Sequence, residues 1–144
     1  MSVDALQFQD VRISVEEYLE GVHEVAPSEF PLPLTVTWRL PSDAFSPPFD
    51  RALLHITPVP LGSSEGYIDR VDRIRLDCYA PGVAALGTLN AVKALLVGEN
   101  VETPNGLLDT ITVVPGRAPV EVEFQSEDLN QATTMLDIIH RPIN

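Results

Sequence analysis

The chain has 144 residues and a formal net charge of −12, and hydrophobic residues make up 44% of it. This length corresponds to one typical domain and is sufficient to bury a core without disulfides or metals. An acidic surface repels duplex DNA and anionic lipid, which argues against sequence-specific nucleic-acid binding and against membrane binding.

Targeting and redox signals are sparse. Residues 1–4 contain neither a basic nor an apolar stretch, so we expect no signal peptide. No apolar run approaches ~20 residues, so we expect no membrane-spanning helix. The single cysteine, Cys78, excludes an internal disulfide, and its position on the apolar side of a strand pattern predicts an inert core thiol in a cytosolic fold.

The first predicted element is a helix over residues 9–19. Val11 and Val15 begin an apolar stripe at helical spacing, and Asp10 can cap the first turn. We expect the helix to end at Gly21, because glycine is the residue most often found just beyond a helix C-terminus.

Two strands are predicted next. Apolar and polar residues alternate over residues 34–40, which is the pattern of a half-buried strand. A second strand is expected over residues 52–59, and because Pro58 and Pro60 bound it, we place it at a sheet edge or a bend. Glycine and serine in residues 61–68 predict a loop.

The loop of residues 41–50 carries Phe45 and Phe49 between three prolines. Exposed aromatic residues on loops are typical binding anchors. The alternative is that the two rings fold back as a lid on the core, and the sequence favours neither reading.

Apolar and polar residues alternate over residues 73–79, and residues 70–80 are predicted to form a strand that is buried on one side. Arg73 and Arg75 lie on its other side, where their forked guanidinium groups suit carboxylates. Those carboxylates belong either to an identical neighbour or to the same chain, through Asp72, Asp77 or a cross-strand glutamate.

Helical spacing of leucine and valine predicts a second helix within residues 83–97. The dipeptide Asn105-Gly106 then separates two apolar stretches, residues 101–104 and 107–114. This dipeptide favours a two-residue turn, so we expect a β-hairpin.

Apolar and acidic residues alternate over residues 120–125. The alternation predicts that Glu121 and Glu123 point away from the core, and Glu127 and Asp128 follow in an acidic turn. Two nearby carboxylates could also serve as the general acid and base of an enzyme. That role requires one of them to lie in an apolar pocket, and this face is expected to be solvated.

These elements predict an α+β fold. A last strand is expected over residues 133–140, so residues 1–144 form one domain with a mixed or antiparallel sheet and two helices packed on one side. The three histidines are far apart in sequence and no metal-binding or nucleophile motif is present, so we expect no cofactor, no metal and no enzymatic activity.

The segment of residues 69–80 leading into residues 84–96 resembles a strand and helix of the tail terminator (tail completion) proteins of long-tailed bacteriophages. In that family a strand of the form Arg-x-x-x-x-Val-Asp-x-Tyr/Trp-Ala runs into a helix of the form Ala-x-x-Leu-x-x-x-Val-x-x-Leu-Leu. Residues 73–80 and 85–96 are the corresponding segments of this chain, and the resemblance is clearest at their ends, residues 77–80 and 92–96. A hairpin and a closing strand at residues 131–142 complete the same order of elements.

This resemblance implies a structural virion protein, assembled in the host cytoplasm, that forms a ring of six copies at the head-proximal end of the tail tube. The ring would stop tube polymerisation and join the head connector. Its partners would be itself, the major tail tube protein and a neck protein, and DNA would pass without specific binding.

Interface and channel residues are assigned on this basis. The subunit or tail-tube interface is expected at Arg73, Arg75, Phe45 and Phe49. The acidic lining of the channel is expected at Glu121, Glu123, Glu127 and Asp128. Alternative interpretations are another neck or head–tail joining protein, a small enzyme that uses a carboxylate pair, or a dimeric binding module.

Overall fold

The structure is a computed structural model that describes residues 7–60 and 69–143. Two α-helices pack on a curled, mixed sheet of seven strands, which confirms the expected α+β class. Neither helix in this part of the chain is long and apolar enough to cross a bilayer. The predicted loop of residues 61–68 lies outside the described residues.

Helix α1 spans Val11–Val25 and begins where the sequence predicts. The Asp10 carboxylate accepts a hydrogen bond from the Arg12 backbone N–H at 3.0 Å, which satisfies one of the free donors of the first turn. The Arg12 guanidinium also lies 2.8 Å from the same carboxylate. Hydrogen bonding to this guanidinium holds the pKa of Asp10 below its ordinary value.

The predicted end of this helix was wrong. Gly21 lies inside α1, and the chain leaves the helix only at Ala26, before a short 3-10 turn at Pro27–Glu29. A glycine inside a helix costs about 1 kcal/mol relative to alanine. Val22 packs against the core one residue later, and this packing offsets the cost.

Strand β1 spans Leu34–Thr37 and pairs in parallel with β2, Ala52–Val59. β1 is shorter than the alternating pattern predicts. The Thr37 hydroxyl accepts a hydrogen bond from the Arg39 N–H at 3.0 Å and donates one to the Arg39 carbonyl at 2.5 Å. This local turn competes with the ladder and ends the strand.

The predicted edge position of β2 is only partly correct. β2 lies between β1 and β3, but β1 pairs with residues 52–55 alone. From Ile56 onward one side of β2 has no strand partner among the described residues. Pro58 is tolerated there because a proline removes no ladder bond on an open side.

Strands β3, Arg70–Ala80, and β7, Asn130–His140, form the centre of the sheet. They run antiparallel and pair over their full lengths, so Arg70 lies opposite His140 and Ala80 lies opposite Asn130. The strand order is β1-β2-β3-β7-β5-β4.

The expected hairpin forms between β4, Gly98–Thr103, and β5, Gly106–Val113, which pair antiparallel. The predicted turn residues were wrong by one position: Gly106 already pairs with Thr103, so the two-residue turn is Pro104-Asn105. β5 covers the C-terminal half of β7. The short strand β6, Val120–Val122, pairs with the N-terminal part of β7.

Helix α2, Ala84–Leu96, packs over β2, β3 and β7, and α1 contacts strands at both edges of the sheet, β1 and β4. The sheet therefore curls around the helices, and both helices share one core. Its largest buried side chains include Leu19, Leu54, Ile56, Ile74, Leu76, Leu89, Leu96, Ile111, Leu136 and Ile138. Cys78 lies in this core, where burial raises the pKa of its thiol to about 12.

Candidate functional site: the outer face of the sheet

The face of β3 and β7 that points away from the helices carries polar and aromatic side chains. We call it the outer face. Because directly paired residues point to the same side of a sheet, the register assigns its members. They are Arg73, Arg75, Asp77 and Tyr79 on β3, opposite Asp137, Met135, Thr133 and Gln131 on β7.

Arg73 pairs with Asp137 across the two strands. Its Nε lies 2.7 Å from Oδ1 and its Nη2 lies 3.0 Å from Oδ2, which is the bidentate geometry that makes guanidinium–carboxylate pairs specific. This hydrogen bonding raises the pKa of Arg73. The intramolecular partner is thus a cross-strand aspartate, and neither Asp72 nor a glutamate.

Arg75 is bound by Asp77, as one of the sequence alternatives expects. Its Nε donates to Asp77 Oδ2 at 2.8 Å, and Gln131 Nε2 donates to the other oxygen of that carboxylate at 3.1 Å. Asp77 is buried, whereas the Arg75 side chain is 45% exposed. The pair therefore holds a guanidinium in place while leaving it accessible from solvent.

Three aromatic rings form a cluster at the end of the outer face near Tyr79. Phe45 lies 4.9 Å from Tyr79 and 5.3 Å from Phe124, and the last two rings lie 5.2 Å apart. These separations are typical of favourable aromatic pairs. Leu53, the β2 neighbour of Tyr79, is only 2% exposed, so this end of the face is covered.

The two loop phenylalanines have different environments. Phe45 packs in the aromatic cluster on the outer face and yet remains 43% exposed, so it is ordered by its neighbours without forming a lid on the core between the sheet and the helices. Phe49 is half-buried and is not part of the cluster. Phe45 therefore packs against the outer face, whereas Phe49 lies outside the aromatic cluster.

A groove of about 360 Å³ lies beside Arg75 on the outer face. β3 and β7 line one side of it, and the segment from Arg117 to β6 lines the other. Val120 and Val122 stand at its border and are exposed, at 52% and 37%. The groove thus offers apolar contact next to a fixed cation.

The predicted orientation of β6 was wrong. Val120 pairs with Thr133, so it points to the outer face, and Glu121 pairs with Ala132 on the side that carries the helices. All three residues of β6 are exposed. Because this short strand lies at the margin of the sheet, the alternation of apolar and acidic residues along it does not indicate which side faces the core.

The acidic residues after β6 lie outside regular structure. Glu123 follows the strand, and Glu127 and Asp128 lie in a turn in which the Ser126 hydroxyl accepts hydrogen bonds from the Asp128 and Leu129 N–H groups. The turn holds both acids in the solvent at the end of the sheet near Asn130. Whether they face a channel stays a prediction.

A buried polar pair at the opposite end of the sheet was missed by sequence reasoning. His140 is fully buried, and its Nε2 lies 2.7 Å from Asp72 Oδ2. The Arg70 Nε lies 3.3 Å from the same carboxylate, and the Phe8 ring meets the imidazole edge-on at 5.6 Å. Only the register of β3 with β7 brings these residues together, and nothing in the local sequence signals it.

Burial disfavours ionisation of Asp72, but the hydrogen bond from His140 and the charge of Arg70 outweigh it and hold the pKa of Asp72 below its ordinary value. An ionised Asp72 accepts the Nε2–H of His140. The Nδ1 atom of this ring is buried and has no hydrogen-bond partner among the residues that the structure describes. Within residues 7–60 and 69–143, no group of three or more His, Cys, Asp or Glu side chains is arranged to hold a metal ion.

A scan against protein-family models finds no match to this chain, and a search of curated proteins finds none either. Function is therefore inferred from the outer face itself.

Proposed function

We propose that this protein is a structural virion subunit of a long-tailed phage. It assembles as a ring at the head-proximal end of the tail tube, ends tube polymerisation and presents the surface that joins the head connector. The observation that carries the proposal is the outer face, a helix-free sheet surface on which ordered arginines lie beside exposed aromatic and apolar side chains.

The composition of this face favours protein contact. Aromatic residues and arginine are enriched in protein interfaces and in their energetically dominant positions. Arg75 and Phe45 are both ordered by neighbours, so little side-chain entropy is lost when a partner binds them. We assign Arg73, Arg75 and Phe45 to the contact with the tail tube or with a neighbouring subunit, and Phe49 to its margin.

The acidic end of the molecule fits a DNA conduit. Glu121, Glu123, Glu127 and Asp128 make no ion pair with any residue that the structure describes. Unpaired carboxylates repel phosphate, so DNA passes such a wall without binding it. We propose that these four side chains border the channel of the ring.

Electron microscopy of tails assembled with and without the protein tests this function. We expect tails made with it to end in a ring at the head-proximal end, and tails made without it to have tubes of uncontrolled length. Density for the protein at another position in the neck would favour a different head–tail joining role, and its absence from tails would contradict the proposal.

A double variant links the test to the outer face. Arg73→Glu/Arg75→Glu should remain folded, because neither arginine is buried in the core between the sheet and the helices, but should fail to cap tails. Asp137 and Asp77 lose their partners, so circular dichroism must first confirm the fold. Normal capping by the folded variant would remove the outer face from the interface.

A further inference from the structure

A second cluster of arginine and aromatic side chains lies away from the outer face. Trp38 follows β1 and is 42% exposed. The guanidinium carbon of Arg12 lies 5.1 Å from the centre of its ring, and that of Arg39 lies 5.6 Å from it. We call Arg12, Trp38 and Arg39 the arginine–tryptophan surface.

This surface has the chemistry of a contact for carboxylates. Both cations lie within the range of favourable cation–π attraction, so the indole holds them near one another despite their like charge. Arg12 also bonds to Asp10, but Arg39 has no carboxylate partner in the described part of the chain. Exposed tryptophan beside arginine is the composition of a binding hot spot.

An acidic surface on α1 complements it. Glu16, Glu20 and Glu24 recur every four residues on this helix, a like-charge spacing that destabilises an isolated helix. Burial and the nearby charge of Glu20 raise the pKa of Glu16. None of the three has a cationic partner in residues 7–60 or 69–143.

The acidic surface extends away from the cations along α1. Each four-residue step turns an α-helix by about 40° beyond a full turn, so Glu16 lies beside Arg12, whereas Glu24 faces about 120° away from Arg12 and lies about 18 Å further along the axis. The Glu24 end of the acidic surface is therefore out of reach of the arginines of the same molecule. Two different surfaces on each subunit are what a head-to-tail contact requires, and such contacts generate closed rings when the rotation between neighbouring subunits closes.

We propose that the arginine–tryptophan surface of each subunit binds the acidic face of α1 in the next copy of this chain. The occupant is a second copy because its glutamates match the arginines in charge and are themselves without a cation. This inference rests on the proposed ring. It leaves the outer face free for the tail tube.

A charge exchange tests the contact. One variant, Arg12→Glu/Arg39→Glu, carries an acidic patch in place of the cations, and a second, Glu20→Arg/Glu24→Arg, carries cations on α1. Sedimentation at high protein concentration should show wild-type self-association, and each variant alone should associate at least about tenfold more weakly. An equimolar mixture should recover association, because each altered surface then meets its complement.

Matched variants control for net charge. Arg51→Glu/Arg141→Glu and Glu99→Arg/Glu102→Arg change the total charge by the same amounts at positions outside the two surfaces and should associate as the wild type does. The single variant Arg39→Glu retains the Asp10 cap of α1, so its effect cannot be ascribed to a frayed helix. Circular dichroism establishes that every variant is folded.

The outcomes separate this contact from the proposed function. A wild type that does not self-associate, or a mixture that behaves like the separate variants, would overturn the contact, whereas rings seen on tails would still support the function. Recovery in the mixture together with tails that lack the protein would uphold the contact and contradict the function.

Discussion

At the scale of single residues, the pair of His140 and Asp72 is notable because the imidazole of His140 is fully buried. A buried imidazole must have a hydrogen-bond partner, and Asp72 supplies one from the facing strand. The same carboxylate accepts from Arg70. Loss of this one carboxylate charge therefore affects the junction of β3, β7 and the segment that carries Phe8.

We expect Asp72→Asn to lower the free energy of unfolding by about 1–3 kcal/mol at pH 7, because it weakens charged hydrogen bonds at a partly buried site. The pKa of Asp72 is lower in the folded state, so its contribution is present above the unfolded pKa of about 4 and is lost as the pH falls through the folded value. Urea unfolding from pH 7 to pH 2 should thus show a shallower acid dependence in the variant.

Asp69→Asn is the control for this prediction, because Asp69 is half exposed and lies 3.7 Å from Arg141, itself largely exposed. It should change stability by a few tenths of a kcal/mol at most. Equal acid dependence in Asp72→Asn and the wild type would show that the buried pair does not contribute.

At the scale of elements, two glycines show that the effect of a substitution on stability depends on tertiary contacts. Gly21 lies in α1 with open space around it. Gly106 begins β5 with a φ of 139°, and a Cβ there would lie 2.9 Å from Gln9 Nε2 and 3.2 Å from Ile143. The tip of the hairpin is thus packed against segments near both ends of the described chain.

We predict opposite effects of alanine at these positions. Gly21→Ala should raise the free energy of unfolding by about 0.5–1 kcal/mol, since alanine favours the helix and fits the space. Gly106→Ala should lower it by more than about 1 kcal/mol, because the backbone conformation is strained for alanine and the neighbours must shift. Denaturant titration measures both, and a stabilised Gly106→Ala would contradict the described packing.

The loop of residues 41–50 is a second element whose role depends on its contacts. Phe45→Ser should lower the free energy of unfolding by about 1 kcal/mol through loss of aromatic pairs with Tyr79 and Phe124, and it should impair tail capping. Phe49→Ser is the comparison, since it leaves the cluster intact. A Phe45→Ser protein that unfolds entirely would identify the ring as core, and one that caps tails normally would exclude it as an anchor.

At the scale of the whole molecule, charge is distributed unevenly along the β3–β7 pair. The buried pair of His140 and Asp72, with Arg70, lies at one end, and the acidic segment of residues 121–128 lies at the other, beyond Asn130. Eleven paired residues separate these ends by roughly 35 Å. A ring that placed the acidic ends inward would have a phosphate-repelling wall.

We predict that replacing Glu121, Glu123, Glu127 and Asp128 with lysine makes assembled rings retain DNA at low salt and release it at high salt. Screening explains the release, since the Debye length falls from about 10 Å at 0.1 M to about 3 Å at 1 M. Retention is measured by co-sedimentation of rings with duplex DNA. Rings whose structure places these residues on the outer wall would refute the assignment.

Local sequence patterns identified several elements correctly. The expected bounds of β2 and β3 match the structure, α2 ends one residue inside its expected bounds on each side, and a hairpin forms one residue before the turn that Asn105-Gly106 predicts. These elements depend on periodicity and turn chemistry within a few residues of each other. The end of α1, the length of β1 and the orientation of β6 depend instead on packing and on neighbouring strands, and there local expectation failed.

The sequence by itself therefore determined the class of the fold, the main secondary-structure elements and the charged side of β3. Only the tertiary structure decided that Arg73 binds Asp137, that Phe45 joins Tyr79 and Phe124, and that two arginines flank Trp38. The physical reason is that strand order and register are set by contacts between residues far apart in the chain. A shift of one residue in register would move every side chain of a strand to the opposite face.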